Sequence, residues 1–202
     1  MKISTETRMG RNKRDPREER SSFLILCEGP TEKGYFTGMR SRRGPQLDVD
    51  VPKGDHISAV REAVSRVSAE YDAVWCVLDT ELNKTLTASM LREAQGSSVE
   101  LGLSTPSFEF WLILHHARYT KPFQSADDAK KTLKKIIPFW SESNTRFSDF
   151  ADKVDSAYAR AQQISPDGKN PMLNPSTGVW RLVASIQGRP EATERSTGAG
   201  SS

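Results

Sequence analysis

Two apolar runs in this 202-residue chain show no polar alternation: Phe23-Leu24-Ile25-Leu26-Cys27 and Ala73-Val74-Trp75-Cys76-Val77-Leu78. Each predicts a strand covered on both faces, as in a parallel sheet. Leu47-Asp48-Val49-Asp50-Val51 alternates apolar and acidic positions, which predicts a half-exposed or edge strand ended by Pro52 and Gly54. Asp48 and Asp50 are expected to face solvent there. Val99-Glu100-Leu101-Gly102-Leu103 predicts a shorter strand, closed by Ser104-Thr105-Pro106. Between the strands the spacing becomes helical. Thr31 caps a helix that runs to about Arg40, with Glu32 in its first turn. Ile57, Val60, Ala63, Val64, Val67 and Tyr71 mark one amphipathic helix from about His56 to Tyr71. Another helix lies around Leu86 to Ala94 and stops near Gly96. Ser107 to His116 is strongly apolar and starts a fourth. Strand and helix in alternation predict an α/β fold, a mostly parallel sheet with helices on both faces.

After about residue 118 the strands stop. Ser125 caps a helix with Asp127 and Asp128 in its first turn; Ala129, Leu133, Ile136 and Ile137 form its apolar face and Pro138 ends it. Phe147, Phe150, Val154, Ala157, Ala161 and Ile164 define a long second helix. Asn174-Pro175 opens a third, with Val179, Leu182, Val183 and Ile186 on one side. The expected organisation is a basic, flexible segment over 1–20, an α/β core over 21–118, a helical extension over 119–187 packed on that core, and a disordered tail over 188–202.

Composition narrows the field of functions. Hydrophobic residues make up 36%, low for a globular chain, and the polar ends account for part of that. Met1 to Arg20 reads as neither signal peptide nor membrane anchor, and no stretch approaches the ~20 apolar residues of a membrane span. A cytoplasmic protein is expected. Net charge is +3, which permits nucleic-acid binding without arguing strongly for it. Cys27 and Cys76 read as buried free thiols, not a disulfide or a zinc site. Lys130, Lys131, Lys134 and Lys135 form one stripe on their helix, read first as its solvated face. Trp111 and Trp140, among apolar neighbours, read as core.

The candidate chemistry is acidic. Glu28 and Asp79 stand at the carboxyl ends of the two buried strands, where open α/β sheets bind their ligands. Glu81 is two residues beyond Asp79, so both side chains point the same way if strand geometry persists. Three carboxylates in one crevice need a counter-charge, which a hard divalent cation supplies; the alternative is an acidic loop of solvated carboxylates. Glu32 either reaches the same site or complements its helix dipole, the second being favoured. Glu109 lies in an apolar segment, where an acid needs a partner or a role. His115 and His116 end an apolar helix, where the dipole favours a cation. Gly29 and Gly34 have the glycine spacing of a phosphate-binding loop, but Tyr35 and Phe36 replace its Lys and Ser/Thr, which excludes that kind of ATPase. Zinc-hydrolase and serine-hydrolase motifs are absent.

Three stretches together carry a resemblance: Phe23 to Glu32 with Tyr35-Phe36, Val74 to Glu81, and Ser104 to His115. Asn174-Pro175-Ser176-Thr177 adds a weaker fourth. At these residues the chain resembles the RloB-like family, small proteins with a Toprim-like (Rossmann-like) core. Toprim domains hold Mg²⁺ with a Glu after the first strand and an Asp-x-Asp after a later one. Carried over, these are Glu28 and Asp79 with Glu81, the last standing where the pattern has Asp. The resemblance implies a metal-dependent nuclease using Mg²⁺ or Mn²⁺ on DNA or RNA, tRNA included. It also implies an effector role in prokaryotic anti-phage defence, with an ATPase partner protein. Glu28, Asp79 and Glu81 are the expected catalytic and metal residues, with Glu109 in support and Glu32 as a further metal candidate. Arg14, Arg17, Arg20, Lys33, Arg40, Arg42 and Arg43 are the candidates for holding nucleic-acid phosphates. A homo-oligomer is open. The alternative is a non-catalytic nucleic-acid- or nucleotide-binding module that regulates the ATPase; primase-like synthesis ranks lowest.

Overall fold

A computed structural model describes residues 20–189, so Arg14 and Arg17 lie outside the described residues. The elements run β1 (Ser22–Cys27), α1 (Pro30–Gly38), β2 (Gln46–Asp50), α2 (His56–Ser65), β3 (Ala73–Asp79), α3 (Lys84–Ala94), β4 (Val99–Thr105) and α4 (Glu109–His116). They continue with α5 (Ala126–Ile136), α6 (Val154–Ile164), β5 (Ser176–Thr177) and α7 (Val179–Ile186). The sheet order is β2-β1-β3-β4-β5, parallel throughout except for β5, which pairs antiparallel to the end of β4. This is the expected α/β fold with a mostly parallel sheet. α5, α6 and α7 pack against the same apolar core as α1 and α4.

The central strands divide their side chains between two cores, because successive residues point to opposite faces. Phe23, Ile25 and Cys27 of β1 and Trp75 and Val77 of β3 join the larger core, with Tyr35, Phe36, Trp111 and Leu182. Leu24 and Leu26, with Val74, Cys76 and Leu78, join the smaller one, under Ala59, Val60, Ala63 and Met90. Cys27 and Cys76 therefore face opposite sides of the sheet, and both are free thiols. α4 is buried along nearly its whole length, from Glu109 to His115. Gly34 is required where α1 meets the segment after α5, since a Cβ there would sit 2.3 Å from the backbone oxygen of Thr145.

Four elements differ from the sequence expectation. α2 stops at Ser65, not Tyr71. The Tyr71 hydroxyl donates to Asp48 at 3.2 Å and Asp72 accepts the Ser22 N–H at 2.7 Å, so those residues bind back to the sheet instead of extending the helix. The helix expected from Phe147 begins only at Val154, preceded by 3₁₀ turns at Phe147–Asp149 and Ala151–Lys153. Asn174-Pro175 does not open the last helix. Asn174 instead clamps Phe123 through both its N–H (3.1 Å) and its carbonyl (2.8 Å), and α7 starts at Val179. β5, two residues long, is too short to show an alternation.

Candidate functional site

β1 connects outward to β2 through α1, while β3 connects the other way to β4 through α3. The winding thus reverses between the two central strands, and a crevice opens beyond their carboxyl ends. Glu28 and Asp79 stand there. The Glu28 N–H donates to the Val77 carbonyl at 3.1 Å, and Glu28 Oε2 accepts the Asp79 N–H at 2.8 Å. One carboxylate is thereby tied to the backbone beneath the other.

The two side chains serve opposite faces of the sheet. Glu28 continues the phase of Leu24 and Leu26 toward α2, where His56 Nε2 lies 3.0 Å from its Oε2. That nitrogen is closed off from solvent and has no aligned hydrogen-bond partner, so the approach is a charge contact rather than a directed bond. Asp79 continues the phase of Trp75 and Val77 toward α4, and its Oδ1 accepts the Phe108 N–H at 2.8 Å. On the same side Glu32 is buried and accepts the Gly29 N–H at 3.1 Å. It complements the start of α1 as expected, and it also belongs to the acidic group. Glu109 is buried too and accepts the Ser107 hydroxyl at 2.6 Å.

Glu81 arrives by a different route from the one expected. Strand geometry ends before it: Glu81 and Leu82 take left-handed backbone (φ 51° and 59°), and the Glu81 N–H bonds the Pro106 carbonyl at 3.0 Å. Glu81 therefore joins Glu28 and His56, one ligand atom of each lying within 4.8 Å of the others. His56 was not among the expected site residues. Its signal was positional: Gly54-Asp55-His56 follows the carboxyl end of β2, on the same sheet edge as Glu28, and Asp55 caps α2 by accepting the Ser58 N–H at 2.8 Å.

The electrostatics fit a site short of positive charge. Burial raises the pKa of Asp79 well above the usual carboxylate range, and Glu28, Glu32 and Glu109 push it further. Burial, then repulsion from Glu28 and Glu109, raises Glu32 to about 7. Burial also raises Glu109. Glu28 moves down: burial opposes its charge, but His56 and the Asp79 N–H outweigh it. On the α4 side Lys130 pairs with Glu142 at 3.0 Å. Burial works against its charge, yet Glu142, Glu109 and Asp79 together raise its pKa. Lys130 thus turns toward the acids, whereas Lys131, Lys134 and Lys135 are exposed as expected of a solvated face.

A pH dependence follows for the metal-free protein. Glu32 has a folded-state pKa above its unfolded value of 4.5, so it binds more protons folded than unfolded between those two values. Stability is therefore fully present below about pH 4.5, and Glu32 lowers it as pH rises toward 7, by a few kcal/mol at most. Urea denaturation in EDTA at pH 5 and pH 8 reads the fall, and Glu32→Gln removes part of it.

The basic candidates are not brought together with the acids. Arg40 donates to the Leu47 carbonyl at 3.0 Å, Arg20 donates to the Arg42 carbonyl at 3.1 Å, and Arg43 is exposed in the same loop. These four sit at the amino ends of β1 and β2, about 17–20 Å of strand away from Glu28. Lys33 alone shares the acidic edge, exposed and 3.9 Å from Asp50. His115 is a core residue rather than a cation at a helix end. Its Nδ1 donates to the Trp111 carbonyl and its Nε2 accepts the Tyr35 hydroxyl, both at 3.0 Å, and burial lowers its pKa to about 4.

A family model described as RloB-like protein matches residues 23–186. The chain belongs to the RloB-like family. The match runs from the first residues of β1 to the end of α7, so the RloB-like unit includes the helical extension as well as the sheet. Glu28, Glu32, His56, Asp79, Glu81 and Glu109 all lie inside it. Comparison with curated proteins and with solved structures gives no match. No helix among the described residues is long and apolar enough to cross a membrane.

Proposed function

We propose that this RloB-like protein is a metal-dependent nuclease that hydrolyses phosphodiester bonds of DNA or RNA, tRNA included. We place it as a cytoplasmic effector in prokaryotic anti-phage defence that works with an ATPase partner. The observation that carries the chemistry is the set of acids at the switch point of the sheet: Glu28 and Glu81 grouped with His56, and beside them Glu32, Asp79 and Glu109, all three raised in pKa by burial and neighbouring acids. Such a set suits a divalent cation, because a cation removes a repulsion that folding otherwise has to tolerate. Glu28 with Glu81 would hold it toward α2, and Asp79 with Glu32 toward α4. When bound, Mg²⁺ or Mn²⁺ polarises a phosphoryl oxygen and lowers the pKa of an attacking water.

The chain's own residues divide the remaining work. Glu28 is oriented by the Asp79 N–H and Asp79 by the Phe108 N–H, so both carboxylates are held before substrate arrives. Glu109, fixed by Ser107, keeps a proton more readily than an ordinary carboxyl and can return it to a leaving oxygen. Lys130, paired with Glu142 and within the field of Glu109 and Asp79, offers positive charge for a phosphate. The test is cleavage of labelled tRNA and DNA with Mg²⁺ or Mn²⁺, with and without the ATPase partner, wild type against Glu28→Ala. Cleavage lost in the variant supports the reading.

One observation favours the second reading, a non-catalytic regulatory module. Arg20, Arg40, Arg42 and Arg43 form their basic surface at the far edge, where they can bind nucleic acid without presenting it to the acids. In that case Glu28→Ala leaves defence intact while substitution of the arginines abolishes it.

A further inference from the structure

We propose that His56 is a nitrogen ligand in the crevice, and that with Glu28 and Glu81 it makes the α2 side a site for a divalent transition metal such as Mn²⁺ in preference to Mg²⁺. The inference rests on the metal-binding reading above and extends it to the choice of ion.

The crevice has two sides, set by the face of the sheet each side chain continues. Asp79, Glu32 and Glu109 lie toward α4 and supply only oxygen. Glu28, His56 and Glu81 lie toward α2 and supply two carboxylates and an imidazole. First-row ions bind nitrogen and oxygen at about 2.0–2.2 Å, so two ligands at right angles around one ion stand roughly 3 Å apart. His56 Nε2 and Glu28 Oε2 are 3.0 Å apart, a spacing that fits neighbouring ligands of one ion, and the pair is not aligned as a hydrogen bond. Glu81 completes the triangle within 4.8 Å, held there by a left-handed turn whose N–H is fixed to Pro106.

His56 also carries a cost that a ligand role would remove. Its Nε2 is shut away from water and its contact with Glu28 Oε2 is not aligned as a hydrogen bond, so an ion between the two atoms would give each a directed bond. A space of about 230 Å³ adjoins it, bounded by Glu28, Asp55, Ala59 and Leu78, large enough for an ion with remaining waters. Position supports the same role, since the Asp55 cap fixes the first turn of α2 and with it the imidazole. The ion preference follows from ligand chemistry. Mg²⁺ favours all-oxygen surroundings and gains little from imidazole; Mn²⁺ also takes oxygen readily but accepts one imidazole more easily than Mg²⁺, and later first-row ions bind it more tightly still.

The test uses the full chain, calorimetry with Mn²⁺ and with Mg²⁺, and pulsed electron paramagnetic resonance of bound Mn²⁺. Wild type is expected to bind Mn²⁺ at least tenfold more tightly than Mg²⁺ and to show nitrogen coupling from one imidazole. His56→Ala should lose about tenfold in Mn²⁺ affinity and less than threefold in Mg²⁺ affinity, with the nitrogen coupling gone. The resonance measurement on wild type stands alone if the variant fails to fold. Tight Mn²⁺ binding with no nitrogen coupling, unchanged in His56→Ala, overturns the role of His56 and leaves the metal site standing. No binding of either ion to folded wild type overturns the metal reading itself, and this inference with it.

Discussion

Asp79→Asn is expected to give a protein that is more stable without metal and inactive with it. Asn keeps an Oδ1 that can accept the Phe108 N–H now bonded at 2.8 Å, so the local geometry survives. What it removes is a charge that burial and three neighbouring carboxylates oppose. At pH 8 in EDTA, urea denaturation should show a gain of about 1–2 kcal/mol, as expected when an unpaired buried charge is neutralised in place. Cleavage should fall by about 10²–10⁴-fold, since metal polarisation is worth several kcal/mol and each 1.4 kcal/mol is tenfold in rate. Opposite signs in the two measurements are the signature of a residue kept for chemistry at the expense of the fold. A loss of stability in Asp79→Asn would instead make Asp79 a structural acid.

Trp111→Ala is expected to cost about 3–5 kcal/mol, close to the whole stability of many small domains. Trp111 is fully buried in the middle of α4, edge-on to Tyr35 at 6.4 Å and to His115 at 4.9 Å between ring centroids. Its loss would leave a cavity where α1 and α4 meet, the two helices that carry Glu32 and Glu109. Trp111→Phe should cost far less, because the smaller ring still fills most of the buried space. Urea denaturation of both variants reads the difference. A small effect of the Ala variant would show that α4 is not central to the core.

Most of the sheet was legible because its strands announce themselves in two ways. β1 and β3 are unbroken apolar runs, and β2 alternates, so a buried centre and an edge could be told apart before any coordinates. The acids at the ends of β1 and β3 were legible for the same reason, since a carboxylate closing a buried strand has no packing role. The helical extension was harder. Phe147 and Phe150 fall in helical phase with α6, yet Phe147 sits in a 3₁₀ turn and Phe150 between two of them, where the period is similar over so few residues. Asn174-Pro175 looks like a helix start, but its side chain is spent on a loop 51 residues away, which no local pattern records.

In the site, two things escaped the sequence, and both are three-dimensional. The left-handed turn at Glu81 redirects that carboxylate from Asp79 to Glu28 and His56. Nothing in Asp79-Thr80-Glu81-Leu82 marks the turn, since it contains no glycine. His56 belongs to the site only because β2 lies next to β1, a matter of strand order that a single histidine cannot reveal. The arginines show the reverse. Clustered in sequence near β1 and β2, they fall at the wrong end of both strands for the acids, because a strand carries its two ends far apart.

The most direct test is divalent-metal binding by calorimetry, comparing wild type with Glu28→Ala and Asp79→Ala, each verified as folded. Mn²⁺ or Mg²⁺ should bind wild type, Glu28→Ala should abolish the binding and Asp79→Ala should weaken it. Binding that survives both substitutions, or its absence from folded wild type at millimolar metal, would contradict a metal centre at the carboxyl edge of the sheet.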